Sequence, residues 1–247
     1  MRAIILAAGQ GRRLLPFTSD CPKSCVDVGG TTPIELMRDT LALCGVQDLV
    51  VVVGHRAEEV VAQLGDRPHY VENPSYATTN SLHSFMVAGD WATEGALVIN
   101  ADVLVDPSCV QDLIDAPAAN ALLFERHEEY DDEQMKLVHD AGGRLVAIGK
   151  NLPEGAVHGE NLGVLKLSRA GVASALRYAR EEAKAGRNQR WMPQALHVMV
   201  DQMPVHCIEI GDRPWIEIDF PEDLERARME VLPAIRRRIA GRVEVGV

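Results

Sequence analysis

Residues 4–28 constrain what this chain can fold into more tightly than any other stretch. Residues 3–7 form a short apolar run that glycines cut off before a helix could develop, so the run reads as a buried strand. It feeds a loop in which Ala7, Ala8, Gly9 and Gly11 carry little or no side chain. A ligand can therefore approach the main chain there and collect several N–H hydrogen bonds. Arg12 and Arg13 follow at once, and Lys23 follows Pro22. Guanidinium groups beside a glycine loop suit phosphate oxygens, so the stretch reads as a cradle for a triphosphate. A lone Gly-x-Gly would fit a plain turn equally well. Two better-known phosphate loops are excluded. A dinucleotide fingerprint needs a third small residue where Leu14 stands, and an acid ending the second strand, which instead runs into Gly54-His55-Arg56. A P-loop needs Gly-Lys-Ser/Thr after its glycines, and none is present.

The order of elements downstream is that of an open α/β sheet. Residues 33–44 carry apolar residues at helical spacing and stop at Gly45; residues 48–53 are a buried strand, 57–64 a helix and 69–72 a short strand. Strand, helix, strand, helix, strand implies a doubly wound, mostly parallel sheet. Residues 95–99 are a further buried strand that delivers Asn100-Ala101-Asp102 to its carboxyl end, the edge where open sheets bind ligands. The second half holds short strand-like runs at 121–125, 134–139, 145–150 and 162–167, with Asp140-Ala141-Gly142-Gly143 as a hairpin turn. Helices follow at 168–184 and 191–199, then strands at 205–210 and 216–218, and a helix from Pro221. We expect one domain over 1–247, with a nucleotide-binding half at 1–118, an acceptor-binding lid layer at 119–220 and a C-terminal helix at 221–247.

The ordered pattern Leu6-Ala7-Ala8-Gly9-x-Gly11-x-Arg13-Leu14, with Pro22-Lys23 downstream, resembles the nucleotidyltransferases that join a nucleoside triphosphate to a sugar phosphate or an alcohol phosphate. The resemblance implies a Rossmann-like fold and a Mg²⁺-dependent enzyme. Asn80-Ser81-Leu82, the segment from Met135-Lys136 to Gly149-Lys150, and the ending at 215–219 are similar to the branch that uses CTP with phosphocholine or 2-aminoethylphosphonate. Arg12 departs from the small hydroxyl residue usual in sugar nucleotidyltransferases, and Ser24-Cys25-Val26-Asp27 departs from their apolar continuation. Both departures leave the cradle intact and weaken the case for a hexose acceptor.

Nucleotidyl transfer brings two polyanions together, so its chief demand is cancelling their charge. The resemblance assigns catalysis to Arg13, Lys23, Asp102 and Asp219, with Asp102 and Asp219 as the Mg²⁺ ligands. Asp219 also suits the cap of the helix opened by Pro221. Leu6, Ala7, Ala8, Gly9, Gly11 and Arg13 would hold the triphosphate. Asn80 and Ser81 would lie beside the base, although Ser and Thr before an apolar helical pattern commonly cap a helix. Lys136, Lys150, Glu160, Trp191, Trp215 and Glu217 are the expected acceptor contacts. A quaternary amine would want an aromatic cage, for which Tyr130, Trp191 and Trp215 are the available walls. Trp191 would serve equally as a core anchor of its helix.

A net charge of −11 argues against nucleic acid, so an anionic substrate needs a local basic pocket. Five scattered cysteines read as reduced thiols. No apolar run approaches a membrane span, and Arg2 precedes only a short apolar run ending in the glycine loop, so neither a span nor a signal peptide is expected and the location expected is cytoplasmic. The expected partners are CTP or another nucleoside triphosphate and a small phosphorylated acceptor, with a homodimer allowed. The alternatives are a sugar-1-phosphate or inositol-phosphate nucleotidyltransferase using UTP, dTTP or CTP, and a non-catalytic nucleotide-binding regulatory protein.

Overall fold

The computed structural model describes residues 1–245 of the chain. The expected strand–helix order is present. β1 (Arg2–Leu6), α1 (Pro33–Leu43), β2 (Asp48–Val53), α2 (Ala57–Leu64), β3 (His69–Glu72), α3 (Ser81–Val87) and β4 (Ala96–Asn100) make the first half. β5 (Val103–Val105), α4 (Pro107–Asp115), β6 (Ala121–Glu125), β7 (Lys136–His139), β8 (Leu145–Gly149) and β9 (Gly159–Leu167) follow. The chain continues through α5 (Arg169–Lys184), α6 (Pro193–Met199), β10 (His206–Glu209), β11 (Trp215–Glu217), α7 (Pro221–Arg226) and α8 (Leu232–Val245).

β1 lies at the centre of a sheet ordered β10-β6-β9-β4-β1-β2-β3, onto which β7 and β8 are hydrogen-bonded. It pairs in parallel with β2 and β4, and Leu6 lies level with Val52 and Asn100. Three chain segments therefore leave the sheet side by side at one edge: the glycine loop, the turn after β2, and Asn100-Ala101-Asp102. β9 runs antiparallel between β4 and β6. The sheet is thus mostly parallel, with one reversed strand joining its two halves.

Alternation along the strands divides the core in two. Ala3 and Ile5, with Val51, Leu97 and Ile99, pack beneath α1, α2 and α4. Ile4, with Val50, Val52 and Val98, packs beneath α3, α5 and α6. Local signals set the helix starts as the sequence suggests. Thr32 Oγ1 accepts from the Glu35 amide at 3.4 Å and Glu35 Oε2 from the Thr32 amide at 3.0 Å, a reciprocal cap with Pro33 in the first turn. At the β7–β8 hairpin Asp140 Oδ1 accepts from the amides of Gly142 and Arg144, both at 2.9 Å.

One element escapes the sequence. β5 pairs antiparallel with β11 in a separate two-stranded ribbon, and Leu104 and Ile216 of this ribbon join Leu14, Val26 and Leu232 in a third apolar cluster. Three residues carry no periodicity of their own, so only tertiary pairing makes β5 a strand.

The connection between α5 and α6 is fastened at both ends. The buried Glu182 carboxylate accepts from Arg187 Nε at 2.8 Å and Arg190 Nε at 2.7 Å. The same connection meets the start of α3, where the Leu82 amide donates to Arg190 O and the Met192 amide to Ser81 Oγ. Trp191 is held between these anchors. Hydrogen bonds from Arg187 and then Arg190 bring the Glu182 pKa down to about 2 from 4.5, against the opposing effect of burial. The folded chain thus binds this proton less readily than the unfolded chain. The carboxylate's contribution is complete above pH 4.5 and is lost as pH falls toward 2. Glu182→Gln is expected to cost on the order of 1–3 kcal/mol at pH 7, with the gap to wild type closing between pH 4.5 and 2 in urea titrations.

Candidate active site

The glycine loop emerges from β1 with its main chain unused. Ala7 still belongs to the sheet, its amide donating to Val52 O at 2.8 Å. The amides of Ala8, Gly9, Gln10 and Gly11 donate to no protein acceptor among the described residues. Successive free N–H groups form a concavity for an anion. Gly9 lines the cleft, and a Cβ there would meet no protein atom within 4 Å, so the open side of the loop faces ligand space. Gly11 answers a different need. Its φ is +65°, and a Cβ would stand 2.6 Å from Lys23 Cβ, so the missing side chain lets Lys23 press against the loop.

Lys23 is the centre of the site. Its Nζ lies 2.5 Å from Asp102 Oδ2 and 2.5 Å from Asp219 Oδ1. Asp102 follows β4 and Asp219 lies just beyond β11, and the β5–β11 ribbon brings them together, with the Ile218 amide donating to Asp102 O at 3.0 Å. Burial opposes the charge on Lys23, but Asp102, Asp219 and Glu217 outweigh it and hold the ammonium above its ordinary pKa. Asp219 does not cap α7. Its side chain goes to Lys23 and Arg13, while Asp223 Oδ2 accepts from the amides of Asp219 and Phe220. Burial tends to raise the Asp219 pKa, but Lys23 and then Arg13 bring it below the ordinary value. Glu217 goes the other way, to about 8, through burial and then the negative charge of Asp102 and Asp219, with Lys23 opposing.

The carboxylates fit a divalent ion that takes its remaining ligands from substrate. Asp102 Oδ1 is buried with no hydrogen-bond partner, a lone-pair donor left open beside Asp219. No group of three or more His, Cys, Asp or Glu side chains is arranged to hold a metal among the described residues. Mg²⁺ suits this arrangement, because it characteristically binds one or two carboxylates and completes its shell with phosphate and water.

A cleft of about 390 Å³ surrounds these groups. Leu6, Ala8, Gly9, Gly11, Arg12 and Arg13 line one wall; Tyr76, Thr79, Asn80, Ser81 and Ser84 line another. Asn80 is also the cap of α3, its Oδ1 accepting from the Ser81 amide at 2.8 Å. Arg13, Lys23 and Lys150 are held by carboxylates, whereas Arg12 donates to Gln10 Oε1 at 2.6 Å. Glu133 Oε2 lies 2.7 Å from Arg13 Nη1 and 3.0 Å from Lys150 Nζ, bridging the cleft, and Lys150 followed by Arg13 lowers its pKa. Arg13 also meets Asp219 at 2.8 Å and stacks on Phe220. Lys150 Nζ stands 5.3 Å from the centre of the Trp191 ring.

The expected acceptor residues divide by strand face. Lys150, Trp191 and Glu217 line the cleft. Lys136 and Glu160 do not, and this corrects the sequence reading by one residue. They pair across β7 and β9, so their side chains share the face opposite that of Met135 and Asn161, which do line the cleft. Glu160 instead accepts from Gln134 Nε2 at 2.6 Å and contacts His127 Nε2 at 3.0 Å. Trp215 also lies outside the lining; it is 9% exposed and donates from Nε1 to Glu125 at 2.6 Å. Tyr130 takes the His127 amide on its hydroxyl. Hence Tyr130, Trp191 and Trp215 do not assemble a cage. Asn100, Glu133 and Asn161 are cleft residues that the expected site omits. Asn161 is 4% exposed with Oδ1 unpartnered. Asn100 could have been found from its place at the end of β4, and Glu133 belongs to the acidic run 131–133 that offers charge for an acceptor amine; Asn161 carries no sequence signal apart from tertiary placement.

The MobA-like NTP transferase domain family matches residues 3–198. The "Bifunctional IPC transferase and DIPP synthase" of Rubrobacter xylanophilus is 32% identical over 237 residues, which cover 93% of this chain and 52% of that protein. This chain therefore spans about half the length of that relative. A "CTP:phosphoglutamine cytidylyltransferase" of Campylobacter jejuni is 27% identical over 252 residues, covering 91% of this chain and 98% of the relative. Among solved structures, the inositol-1-phosphate CTP transferase from T. maritima superimposes with a TM-score of 0.80 at 26% identity, over 95% of this chain and 96% of that one.

Removing the ammonium should leave the two aspartates repelling each other by about 3 kcal/mol at an effective dielectric of 20. Lys23→Met is therefore expected to lower the melting temperature in metal-free buffer and to recover part of the loss in millimolar Mg²⁺. A melting temperature equal to wild type in metal-free buffer would show that the lysine does not hold these acids together.

Proposed function

The chain belongs to the MobA-like NTP transferase family, and from that premise we propose that it transfers CMP from CTP to a small phosphorylated or phosphonate acceptor, releasing pyrophosphate. The observation that carries this reading is the meeting of Asp102 and Asp219 on Lys23 beside four unused loop amides. A protein that only bound a nucleotide would need the amides and not the paired acids.

In this reading the loop amides, Arg12 and Arg13 take the β- and γ-phosphates, and Lys23 takes the α-phosphate. Lys150 orients the acceptor's phosphate or phosphonate. An acceptor oxygen bonds to the α-phosphorus as the bond to the pyrophosphate oxygen breaks in line. The attacking group is already ionised, so no general base is required. Asn80 and Ser81, which line the cleft, would contact the base. Mg²⁺, held by Asp102 and Asp219, would supply neutralisation of charge spread over the transferring phosphates. Phosphate oxygens must displace Glu133 and Asp219 from Arg13, and the triphosphate, with its larger charge, is the better partner for that fork.

CTP and the acceptor type are supported by the relatives, whose names include cytidylyl transfer to phosphoglutamine and to inositol 1-phosphate. Phosphocholine and 2-aminoethylphosphonate remain the amine-bearing acceptors of the leading reading. The unassembled cage and the Lys150 ammonium near the Trp191 ring favour an acceptor without a quaternary amine, which also suits the inositol-phosphate alternative.

The test is pyrophosphate release across four nucleoside triphosphates and a panel of phosphocholine, 2-aminoethylphosphonate, inositol 1-phosphate and hexose 1-phosphates. Asp102→Asn and Asp219→Asn are each expected to lower kcat on the order of 10²–10³-fold. Arg13→Ala should raise KM for the triphosphate about tenfold, the equivalent of one charge-assisted hydrogen bond. CTP binding without turnover for every acceptor would favour the regulatory reading.

A further inference from the structure

Beyond the cleft lies a second cavity of about 330 Å³ whose wall includes Met135, Lys150 and Trp191, all three shared with the first. The remaining wall comes from the end of β8, from α5 and from α6, elements with no role in holding nucleotide. It presents Arg190, Tyr178, His197 and Gln194 over an apolar floor that includes Ile148 and Val198.

No carboxylate is among the lining residues. Glu133 and Glu182 pair with Lys150 and Arg190 but stand outside the lining, and each is shared between two cations. Glu133 serves Arg13 and Lys150; Glu182 serves Arg187 and Arg190. The lining itself thus carries two cations, Lys150 and Arg190, and no acid, in a chain whose net charge is −11. Several polar groups of the wall are also unused. The Tyr178 hydroxyl, the His197 ring and Gln194 Nε2 make no hydrogen bond to the protein among the described residues, although Gln194 Oε1 accepts from the Trp191 amide at 2.9 Å. Donors and cations around an apolar floor suit a short aliphatic chain ending in an anion.

We propose that this cavity is the subsite for the far end of the acceptor, and that it selects acceptors carrying a second anionic group, a carboxylate or a second phosphate, beyond the phosphoryl group that reacts. This rests on the assignment of the cleft to nucleotidyl transfer, with Lys150 as the boundary between the two spaces. A quaternary ammonium at the far end would face Lys150 and Arg190 with no acid in the wall to balance it.

The probes are phosphonocarboxylates with two to five methylenes between phosphonate and carboxylate, each paired with the alkylphosphonate of the same carbon number. Binding is measured by calorimetry on the full chain with Mg²⁺ and a non-hydrolysable CTP analogue, and pyrophosphate release is measured separately with CTP. The carboxylate-bearing member is expected to bind at least tenfold tighter at one or more lengths. His197→Glu, an exposed position of α6 outside the cleft, should bring that ratio close to one. Tyr178→Phe, which keeps the ring, should lower it two- to threefold. A wild-type ratio below twofold at every length, or a ratio intact in both variants, overturns the subsite even if pyrophosphate is released. A ratio present in wild type and lost in the variants, with no pyrophosphate released from any acceptor, upholds the anion subsite and refutes the transferase reading instead.

Discussion

One ammonium group between two carboxylates organises the site. Asp102 and Asp219 are separated by nearly half of the sequence, and neither strand β4 nor strand β11 carries its acid to Lys23 alone. The β5–β11 ribbon sets the register, and Gly11 allows Lys23 to approach the loop from the other side. Each partner depends on the others for tolerating burial. Without the acids a mostly buried lysine would shed its proton, and without the lysine the acids would repel. Under the proposed function the same interdependence suits the site to exchange, since a cation entering between the aspartates would free Lys23 for a phosphate.

Charge is handled by pairing throughout the cleft. Arg13, Lys23 and Lys150 are all engaged with carboxylates, so bound phosphate replaces existing partners rather than filling bare positive charge. Under the proposed function this reconciles an acidic chain with an anionic substrate. The partly exposed pairs that Glu133 makes with Arg13 and Lys150 contribute only modestly to stability, so exchanging them costs little. Glu217 differs, because burial and then the charge of Asp102 push its pKa up, the opposite direction to Asp219.

The parts of this arrangement that the sequence reveals are those encoded locally. The strand-to-glycine transition, the caps of α1 and α5, the hairpin at Asp140 and the acid at the end of β4 can each be read from a few adjacent residues. The face of a strand depends on pairing, and a one-residue offset is enough to exchange Lys136 and Glu160 for Met135 and Asn161. Trp215 is an expected acceptor contact from the resemblance of the 215–219 ending, yet its indole nitrogen is engaged by Glu125 and its ring is packed in the core. Glu133 sits in a stretch of four consecutive acidic or amide residues, 131–134, and only the folded loop distinguishes the one that reaches Arg13. Asp219 was ambiguous between cap and ligand for the same reason, and Asp223 resolves it by taking over the cap.

The reversed strand β9 has a mechanical consequence. It is hydrogen-bonded to β4 on one side and β6 on the other, so the two halves of the sheet are stitched along a continuous backbone seam. Each rung of that seam is worth about 1 kcal/mol, and the rungs would have to break together for the halves to swing apart. The molecule cannot open and shut like a book. Whatever gathers around a bound ligand must come from side chains and from pieces outside the seam, such as the segment bearing Glu133.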